Sequence, residues 1–186
     1  GEMELTDVVA LGDERVPDGG AVAESGDDAA PDEPTEVAGS AATAEDEVLR
    51  LAASAERGSE HPLARAIVEG AEARGLELGD PESFENVPGQ GIRATVEEDE
   101  ILVGNRKLLR DAGVDPEPAA ETMERLERGG KTAMLVGRIR SGATEGELLG
   151  VVADADTVKP SAKEAVSQLR ERGVDVMLIT GDNERT

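Results

Sequence analysis

A long acidic interruption near the start of the chain most constrains how this sequence can fold. Residues 16–49 contain no lysine or arginine, and residues 17–44 combine seven acidic side chains with mostly Gly, Ala, Ser and Pro. Such a segment has too little apolar surface to offset the conformational entropy that is lost when it becomes ordered. We therefore predict a disordered acidic insert at residues 16–43, with the folded part built from the residues on either side of it.

Charge and cysteine content exclude several classes of function. The 186 residues include 19 Lys+Arg against 42 Asp+Glu, a net charge of −23, and no cysteine. Disulfides, cysteine nucleophiles and thiolate metal sites are therefore excluded. The charge argues against contact with nucleic acid or an anionic membrane surface, and no apolar run approaches the roughly 18 residues of a membrane span. An excess of carboxylates suits concentrated salt, so we predict a halophilic source.

Hydrophobic periodicity predicts an α+β region followed by the beginning of an α/β region. The first region has predicted strands at residues 2–11, 83–87, 92–97, 101–103, 132–139 and 147–153, and predicted helices at 43–57, 61–74, 105–112 and 117–128. A turn at residues 98–99 is predicted to join two of these strands as a hairpin. A helix at 159–172 and a buried strand at 174–179 then complete a strand–helix–strand unit, which is typical of a parallel sheet. We place the boundary near Gly150.

Two segments near the end of the chain carry candidate catalytic residues. Thr180, Gly181 and Asp182 come just past the buried strand, where open α/β sheets hold ligands, and Thr180 offers a hydroxyl and an amide to a phosphate. Asp156 and Lys159 follow the preceding strand, and a lysine there can neutralise a transferring phosphoryl group. On the residues alone, a strand-to-loop turn and a helix N-terminus are simpler explanations of these two segments.

His61 is the only histidine, and it precedes Pro62, which holds it extended at the start of a helix. Because the chain has no Trp or Tyr, this ring and Phe84 are the two aromatic surfaces on which a purine can stack. Glu56, near the end of the preceding helix, can accept a hydrogen bond from an exocyclic amine. A solvated or capping histidine is the simpler alternative.

Glycines flank two of the predicted strands. Gly89 and Gly91 lie between strands, after a proline, and Gly104 comes directly before Asn105. Glycine at such positions permits positive φ and the close approach of a ligand to the backbone. A β-bulge or an ordinary turn explains them equally simply.

Five segments occur in a distinctive order. They are Ser59-Glu60-His61-Pro62-Leu63, Gly89-Gln90-Gly91, Val103-Gly104-Asn105, Asp156-Thr157-Val158-Lys159-Pro160 and Thr180-Gly181-Asp182-Asn183. In this order they resemble the cytoplasmic part of a heavy-metal-transporting P-type ATPase, and the likeness covers nearly the whole chain except the acidic insert.

The resemblance implies a fold, a ligand and a set of site residues. It implies an α+β nucleotide-binding domain, an antiparallel sheet flanked by helices, at residues 1–149, and a partial haloacid-dehalogenase-like α/β phosphorylation domain at residues 150–186. ATP binding is implied for Glu56, His61, Gly89, Gly91 and Gly104, with the glutamate and histidine at the adenine. The phosphorylation site would contain Thr180, Gly181 and Asp182, with Asp156 and Lys159 at its edge. ATP and Mg²⁺ are the implied cofactors.

The sequence also departs from the family pattern. It contains no Asp-Lys-Thr-Gly-Thr motif, which carries the phosphorylated aspartate in this family, and no later glycine- and aspartate-rich magnesium motif. We therefore expect a cytoplasmic fragment of an integral plasma-membrane protein. Its partners would be the transmembrane, actuator and remaining phosphorylation-domain parts, and it would bind ATP without hydrolysing it alone.

Three matters stay open at this point. Copper(I) is the preferred transported ion, but zinc, cadmium and lead remain alternatives. A soluble haloacid-dehalogenase-like phosphatase is a second reading, although Leu5-Thr6-Asp7-Val8-Val9 is a poor substitute for its catalytic aspartate. A third is an acidic interaction module that acts through the insert.

Overall fold

A single six-stranded antiparallel sheet organises the part of the chain that the computed structural model describes, residues 2–11, 37–157 and 167–173. The strand order is β1-β6-β5-β4-β3-β2. The elements are β1 (Glu2–Ala10), α1 (Val37–Glu56), α2 (Pro62–Ala73), β2 (Ser83–Val87), β3 (Gly91–Val96), β4 (Asp99–Gly104), α3 (Arg106–Asp111), α4 (Ala120–Arg128), β5 (Thr132–Ile139) and β6 (Glu147–Thr157). The antiparallel sheet with flanking helices confirms the predicted fold class.

Helices cover both faces of the sheet, so the domain has two hydrophobic layers. On one face Leu49 of α1 and Ile67 of α2 pack with Ile101 of β4. On the other face Leu109 of α3 packs with Leu102 of β4 in a second cluster. Successive side chains of a strand point to opposite faces, which is why neighbours in β4 belong to different layers. Both layers are built almost entirely from aliphatic side chains, as the composition requires.

The strands β1 and β6 join the residues that precede the acidic insert to the end of the α+β region. Their antiparallel register runs from Glu2 opposite Thr157 to Ala10 opposite Gly150. The strand β6 continues four residues past the predicted end at residue 153. The sequence there is polar, but the backbone of residues 154–157 pairs with β1 and stays in the sheet. The strand thus crosses residue 150, and the division into 1–149 and 150–186 stays a prediction.

Several boundaries differ from the sequence-based prediction for local reasons. The helix α1 begins at Val37, and the alanine-rich composition of residues 37–44 favours that early start. The last residues of the predicted insert are therefore helical, while residues 12–36 lie outside the described residues. The β3–β4 turn is Glu97-Glu98, with φ of 53° and 71°, as two-residue hairpins require. The predicted helix 117–128 is a short 3-10 turn at Glu117–Ala119 followed by α4.

Only part of the predicted α/β ending is described. Residues 167–171 are helical and Gly173 has φ of 76°, in agreement with the predicted helix and its glycine end. The predicted strand 174–179 lies outside the described residues. Among the helices that the structure describes, none is long and apolar enough to cross a membrane.

The acidic surface leads to a prediction about salt. Arginines already pair with carboxylates at the surface, as Arg50 does with Glu47 at 2.9 Å and Glu97 at 2.8 Å, yet a net charge of −23 remains. Ions screen the repulsion between the unpaired carboxylates. We expect the melting temperature, followed by circular dichroism, to fall by several degrees between about 2 M and about 0.1 M KCl. A melting temperature that is indifferent to salt would contradict the predicted adaptation.

Candidate nucleotide-binding site

A cavity of about 400 Å³ opens where the end of α1, the start of α2 and the ends of the central strands meet. This size suits a small organic ligand. All five residues for which the resemblance implied ATP binding line it: Glu56, His61, Gly89, Gly91 and Gly104. The other lining residues include Ser59, Leu63, Ala64, Asn86, Gln90, Asn105, Thr132 and Met134. The structure therefore brings the five implied residues together although they lie up to 48 positions apart, from Glu56 to Gly104.

His61 is positioned by the start of α2. It is the N-cap residue, with φ of −66° and ψ of 141°, and Pro62 occupies the first turn. Its Nδ1 accepts a hydrogen bond from the backbone N–H of Leu63 at 3.2 Å. In the neutral ring this bond assigns the proton to Nε2. The capping role and the place at the cavity are therefore compatible, because one ring edge caps the helix while the exposed ring remains available to a ligand.

Gly91 and Gly104 lie opposite each other in the β3–β4 pair. A Cβ atom on Gly91, whose φ is 139°, would lie 2.2 Å from the carbonyl oxygen of Val103. A Cβ atom on Gly104 would lie 2.2 Å from the carbonyl oxygen of Gln90. Both distances are far shorter than van der Waals contact. These two glycines are thus required by the approach of one backbone to the other, and they shape the cavity wall as a consequence.

Gly89 differs from the other two glycines. It has φ of 71° in the turn before β3, and a Cβ atom there would meet nothing within 4 Å. Asn105 holds this turn in place, because its side-chain amide donates to the carbonyl oxygen of Gly89 at 3.0 Å. The backbone N–H of Asn105 also donates to Gln90 at 2.8 Å. Asn105 is also the N-cap of α3, because its side-chain oxygen accepts a hydrogen bond from the N–H of Leu108 at 3.1 Å.

A buried carboxyl forms part of the cavity wall. Glu56 is the last residue of α1 and is only 5% exposed. Burial raises the pKa of Glu56 to about 7, the Ser59 hydroxyl opposes that shift by hydrogen bonding, and the negative charge of Asp154 adds to it. At neutral pH the Glu56 side chain is therefore divided between its neutral and ionised forms.

Asp154 was not singled out from the sequence. It is fully buried on β6, and neither carboxyl oxygen has a hydrogen-bond partner among the described residues. Burial raises the pKa of Asp154 to about 7. Its register partner on β5 is Thr132, which lines the cavity. The sequence did contain a clue to the burial of Asp154. Residues two positions apart in a strand lie on the same face, so Asp154 shares the face of the apolar Val152.

The Gly130-Lys131-Thr132 segment resembles the end of a phosphate-binding loop, but its geometry is different. Thr132 begins β5, and Lys131 forms an ion pair with Asp7 of β1. Among the residues that the structure describes, no lysine or arginine lines the cavity. A ligand held there is therefore bound mainly through its uncharged part.

Of the predicted phosphorylation-site residues the structure describes Asp156 alone, and Asp156 does not line this cavity. Asp156 is exposed near the end of β6, opposite Met3 of β1. Lys159, Thr180, Gly181 and Asp182 lie outside the described residues. Within the described ranges there is no group of three or more acidic or histidine side chains that could hold a metal ion. The phosphorylation site and its Mg²⁺ stay predictions.

The sequence is similar to a well-defined group of proteins. A family model of haloacid dehalogenase-like hydrolases matches residues 7–186. The copper-exporting P-type ATPase of Staphylococcus saprophyticus is 46% identical over 131 residues, which make up 70% of this chain and 16% of that protein. The corresponding Staphylococcus aureus (strain JH9) protein is 46% identical over 132 residues, with the same shares. The chain thus spans 16% of the length of these curated relatives.

Solved structures agree with this grouping. A zinc-transporting PIB-type ATPase in the E2.Pi state matches with a TM-score of 0.64 and 29% identity, over 100% of this chain and 24% of that one. The N-domain of HMA8, a copper-transporting P-type ATPase, matches with a TM-score of 0.51 and 26% identity, over 83% of this chain and 99% of that domain. The chain therefore belongs to the haloacid dehalogenase-like hydrolase family, among its heavy-metal P-type ATPases.

Proposed function

We propose that this chain is the ATP-binding portion of a P-type ATPase that couples ATP hydrolysis, through an aspartyl-phosphate, to the transport of a heavy-metal cation across the plasma membrane. The observation that carries the proposal is the convergence of Glu56, His61 and the three glycines on one cavity. Copper(I) is the preferred cation, because the curated relatives are named as copper exporters. Zinc remains the alternative, in view of the zinc-transporting structural relative.

In this mechanism the described residues hold the purine. The exposed ring of His61 stacks on the base, and the buried Glu56 carboxyl hydrogen-bonds its edge. The turn at Gly89 and the paired strands at Gly91 and Gly104 form the opposite wall. Because the lining has no basic side chain, the triphosphate extends out of the cavity.

The triphosphate would then reach an aspartate on the adjoining α/β domain, which receives the γ-phosphoryl group. Thr180, Gly181, Asp182, Asp156 and Lys159 are the residues of this chain that we assign to that second site. Mg²⁺, when bound there, supplies positive charge to the phosphoryl oxygens. The membrane-spanning and actuator parts of the same transporter are the proposed partners.

Replacing His61 by alanine is expected to weaken ATP binding by about 1–2 kcal/mol, the contribution of one stacked base. Isothermal titration calorimetry of the intact chain measures the change. The matched control is Phe84→Ala, because Phe84 is the only Phe, Trp or Tyr and does not line the cavity. An unchanged affinity in His61→Ala, or an equal loss in both variants, would argue against stacking at this site.

The chain of 186 residues is expected to bind ATP without turning it over. Its sequence contains no Asp-Lys-Thr-Gly-Thr motif to receive the phosphoryl group. Phosphate release from ATP and from p-nitrophenyl phosphate should therefore stay at the level of buffer. Turnover of either compound would favour the alternative of a phosphatase that is active by itself.

A further inference from the structure

The first residues of β5 extend past the end of the neighbouring strand β4. The last register pair between these two strands is Gly104 opposite Leu135. After Gly104 the chain leaves the sheet, since Asn105 caps α3 and Arg106 begins it. Residues 132–134 of β5 therefore have β6 on one side and no described strand on the other, and all three line the cavity.

A hydrogen bond between β1 and β6 fixes the direction in which the backbone groups of β6 point. In an antiparallel pair the N–H and C=O of one residue point to the same neighbouring strand, and successive residues alternate. The N–H of Leu11 donates to the carbonyl oxygen of Leu149 at 2.9 Å, in continuation of the β1–β6 register. The odd-numbered residues of β6 from 149 to 153 therefore face β1, and the even-numbered residues between 150 and 154 face β5.

The register of β5 with β6 then gives the direction of each backbone group in β5. Thr132 and Met134 lie opposite even-numbered residues of β6, so their N–H and C=O groups point to β6. Ala133 lies between them, so its N–H and C=O point to the other side. That side is the cavity, because β4 has already ended there.

The strands β3 and β4 give the same result independently. The N–H of Asn105 donates to the carbonyl oxygen of Gln90, just before β3, at 2.8 Å. Gly104 precedes Asn105, so by alternation its own backbone groups face β5 and meet Leu135. Leu135 therefore points to β4, and Ala133, two positions earlier in the same strand, points the same way but past the end of β4.

Ala133 thus presents an N–H and a C=O to the cavity side by side. No described residue forms a hydrogen bond with either group, although Ala133 is half-buried. In an extended residue these two groups are nearly parallel and about 3 Å apart. Backbone groups at such a place are normally satisfied by water or by a ligand. The matching ligand has an acceptor beside a donor.

The sugar is the part of a nucleotide that remains for this pair of groups. In the proposed function His61 stacks on the base and Glu56 binds its edge. The triphosphate lies outside, because no basic side chain among the described residues lines the cavity. A hydroxyl group can both donate and accept. Of the two neighbouring ribose hydroxyls, one can therefore accept from the N–H of Ala133 while the other donates to its C=O.

We propose that the backbone N–H and C=O of Ala133 bind the 2′- and 3′-hydroxyls of the nucleotide and make this cavity selective for ribonucleotides over deoxyribonucleotides. The inference rests on the proposed function and extends it from nucleotide binding to the choice of sugar. The contact depends on where β4 ends and not on the side chain of Ala133, which packs in the layer of Leu102 and Leu109.

The first test compares ATP, 2′-deoxy-ATP and 3′-deoxy-ATP by calorimetry on the intact chain. The three compounds share the base and the triphosphate, so the contributions of His61 and Glu56 cancel. Each deoxy compound lacks one hydrogen bond and should bind about three- to tenfold more weakly than ATP. If ATP binds and either deoxy compound binds equally tightly, the inference is overturned and the proposed function stands. If no nucleotide binds, the proposed function fails and the inference fails with it.

The second test follows hydrogen exchange of single backbone amides by NMR. At saturation with ATP, exchange of the Ala133 N–H should slow by about tenfold or more. This protection should be lost with the deoxy compound that lacks the accepting hydroxyl. The amide of Met134 is the internal control, because it points to β6 and should differ little between the three complexes. An Ala133 amide that stays unprotected in the ATP complex would overturn the inference.

Two variants separate the backbone of Ala133 from the neighbouring side chain. Ala133→Pro removes an N–H that has no strand partner, so the preference for ATP over one deoxy compound should disappear. Thr132→Val removes a hydroxyl that also lines the cavity, and both preferences should persist. If Ala133→Pro keeps both preferences, or Thr132→Val loses them, the sugar is bound elsewhere and the inference is wrong. Should Ala133→Pro not fold, as judged by circular dichroism, hydrogen exchange in the original chain decides.

Discussion

Replacing Gly91 by alanine is expected to destabilise the domain by at least about 3 kcal/mol and to abolish measurable ATP binding. The added Cβ atom would lie 2.2 Å from the carbonyl oxygen of Val103, and the backbone φ of 139° is strained for any other residue. The clash involves backbone, so a side-chain rotation cannot relieve it. The strands β3 and β4 would have to separate at the point where they form the cavity wall.

The matched control is Gly89→Ala in the adjacent turn. Gly89 also has positive φ, 71°, but a Cβ atom there meets nothing within 4 Å. The loss of stability in Gly89→Ala should therefore be limited to about 1–2 kcal/mol, the penalty for a left-handed backbone at a residue other than glycine. Urea denaturation gives the two free energies of unfolding, and calorimetry gives the two ATP affinities. Equal destabilisation in both variants would show that the contact between Gly91 and Val103 is not the cause.

Local signals predicted the elements that place the candidate site. A proline after His61 and an asparagine before α3 mark helix starts whose caps the structure contains. Alternating apolar residues predicted the strands that meet at the cavity. These features depend on a few neighbouring residues, so they can be inferred from the sequence without knowing the fold.

Other features depend on pairs of residues that are distant in the sequence. The requirement for glycine at positions 91 and 104 comes from their register across β3 and β4. The sequence alone left ligand contact and an ordinary turn or bulge as equal explanations of these glycines. The burial of Asp154 depends on β1, which lies on the other side of the acidic insert. In the sequence, Asp154 and Asp156 both look like the polar end of a strand. In the structure, Asp154 is fully buried and Asp156 is exposed.

Neutralising Asp154 is expected to remove a large dependence of stability on pH. Burial raises the pKa of Asp154 from an ordinary value of 3.8 to about 7 in the folded protein. The folded state therefore binds this proton more tightly than the unfolded state does. Its stabilising contribution is complete below about pH 4, declines as the pH rises and is lost above about pH 7. The shift corresponds to about 2–4 kcal/mol, allowing for partial relaxation of the buried site.

The measurement compares the free energy of unfolding of the original chain and of Asp154→Asn in urea at about pH 5 and about pH 8.5. Raising the pH from about 5 to about 8.5 should destabilise the original chain relative to Asp154→Asn. The gap between their free energies of unfolding should shift by about 2–4 kcal/mol in favour of the variant. Glu4→Gln, which removes an exposed carboxylate, should change by less than about 0.5 kcal/mol. Carboxylates whose pKa is lowered by cations, such as Glu47 beside Arg50, titrate in both proteins and cancel in the comparison. A difference that stays constant with pH would mean that Asp154 is already hydrated or paired in solution.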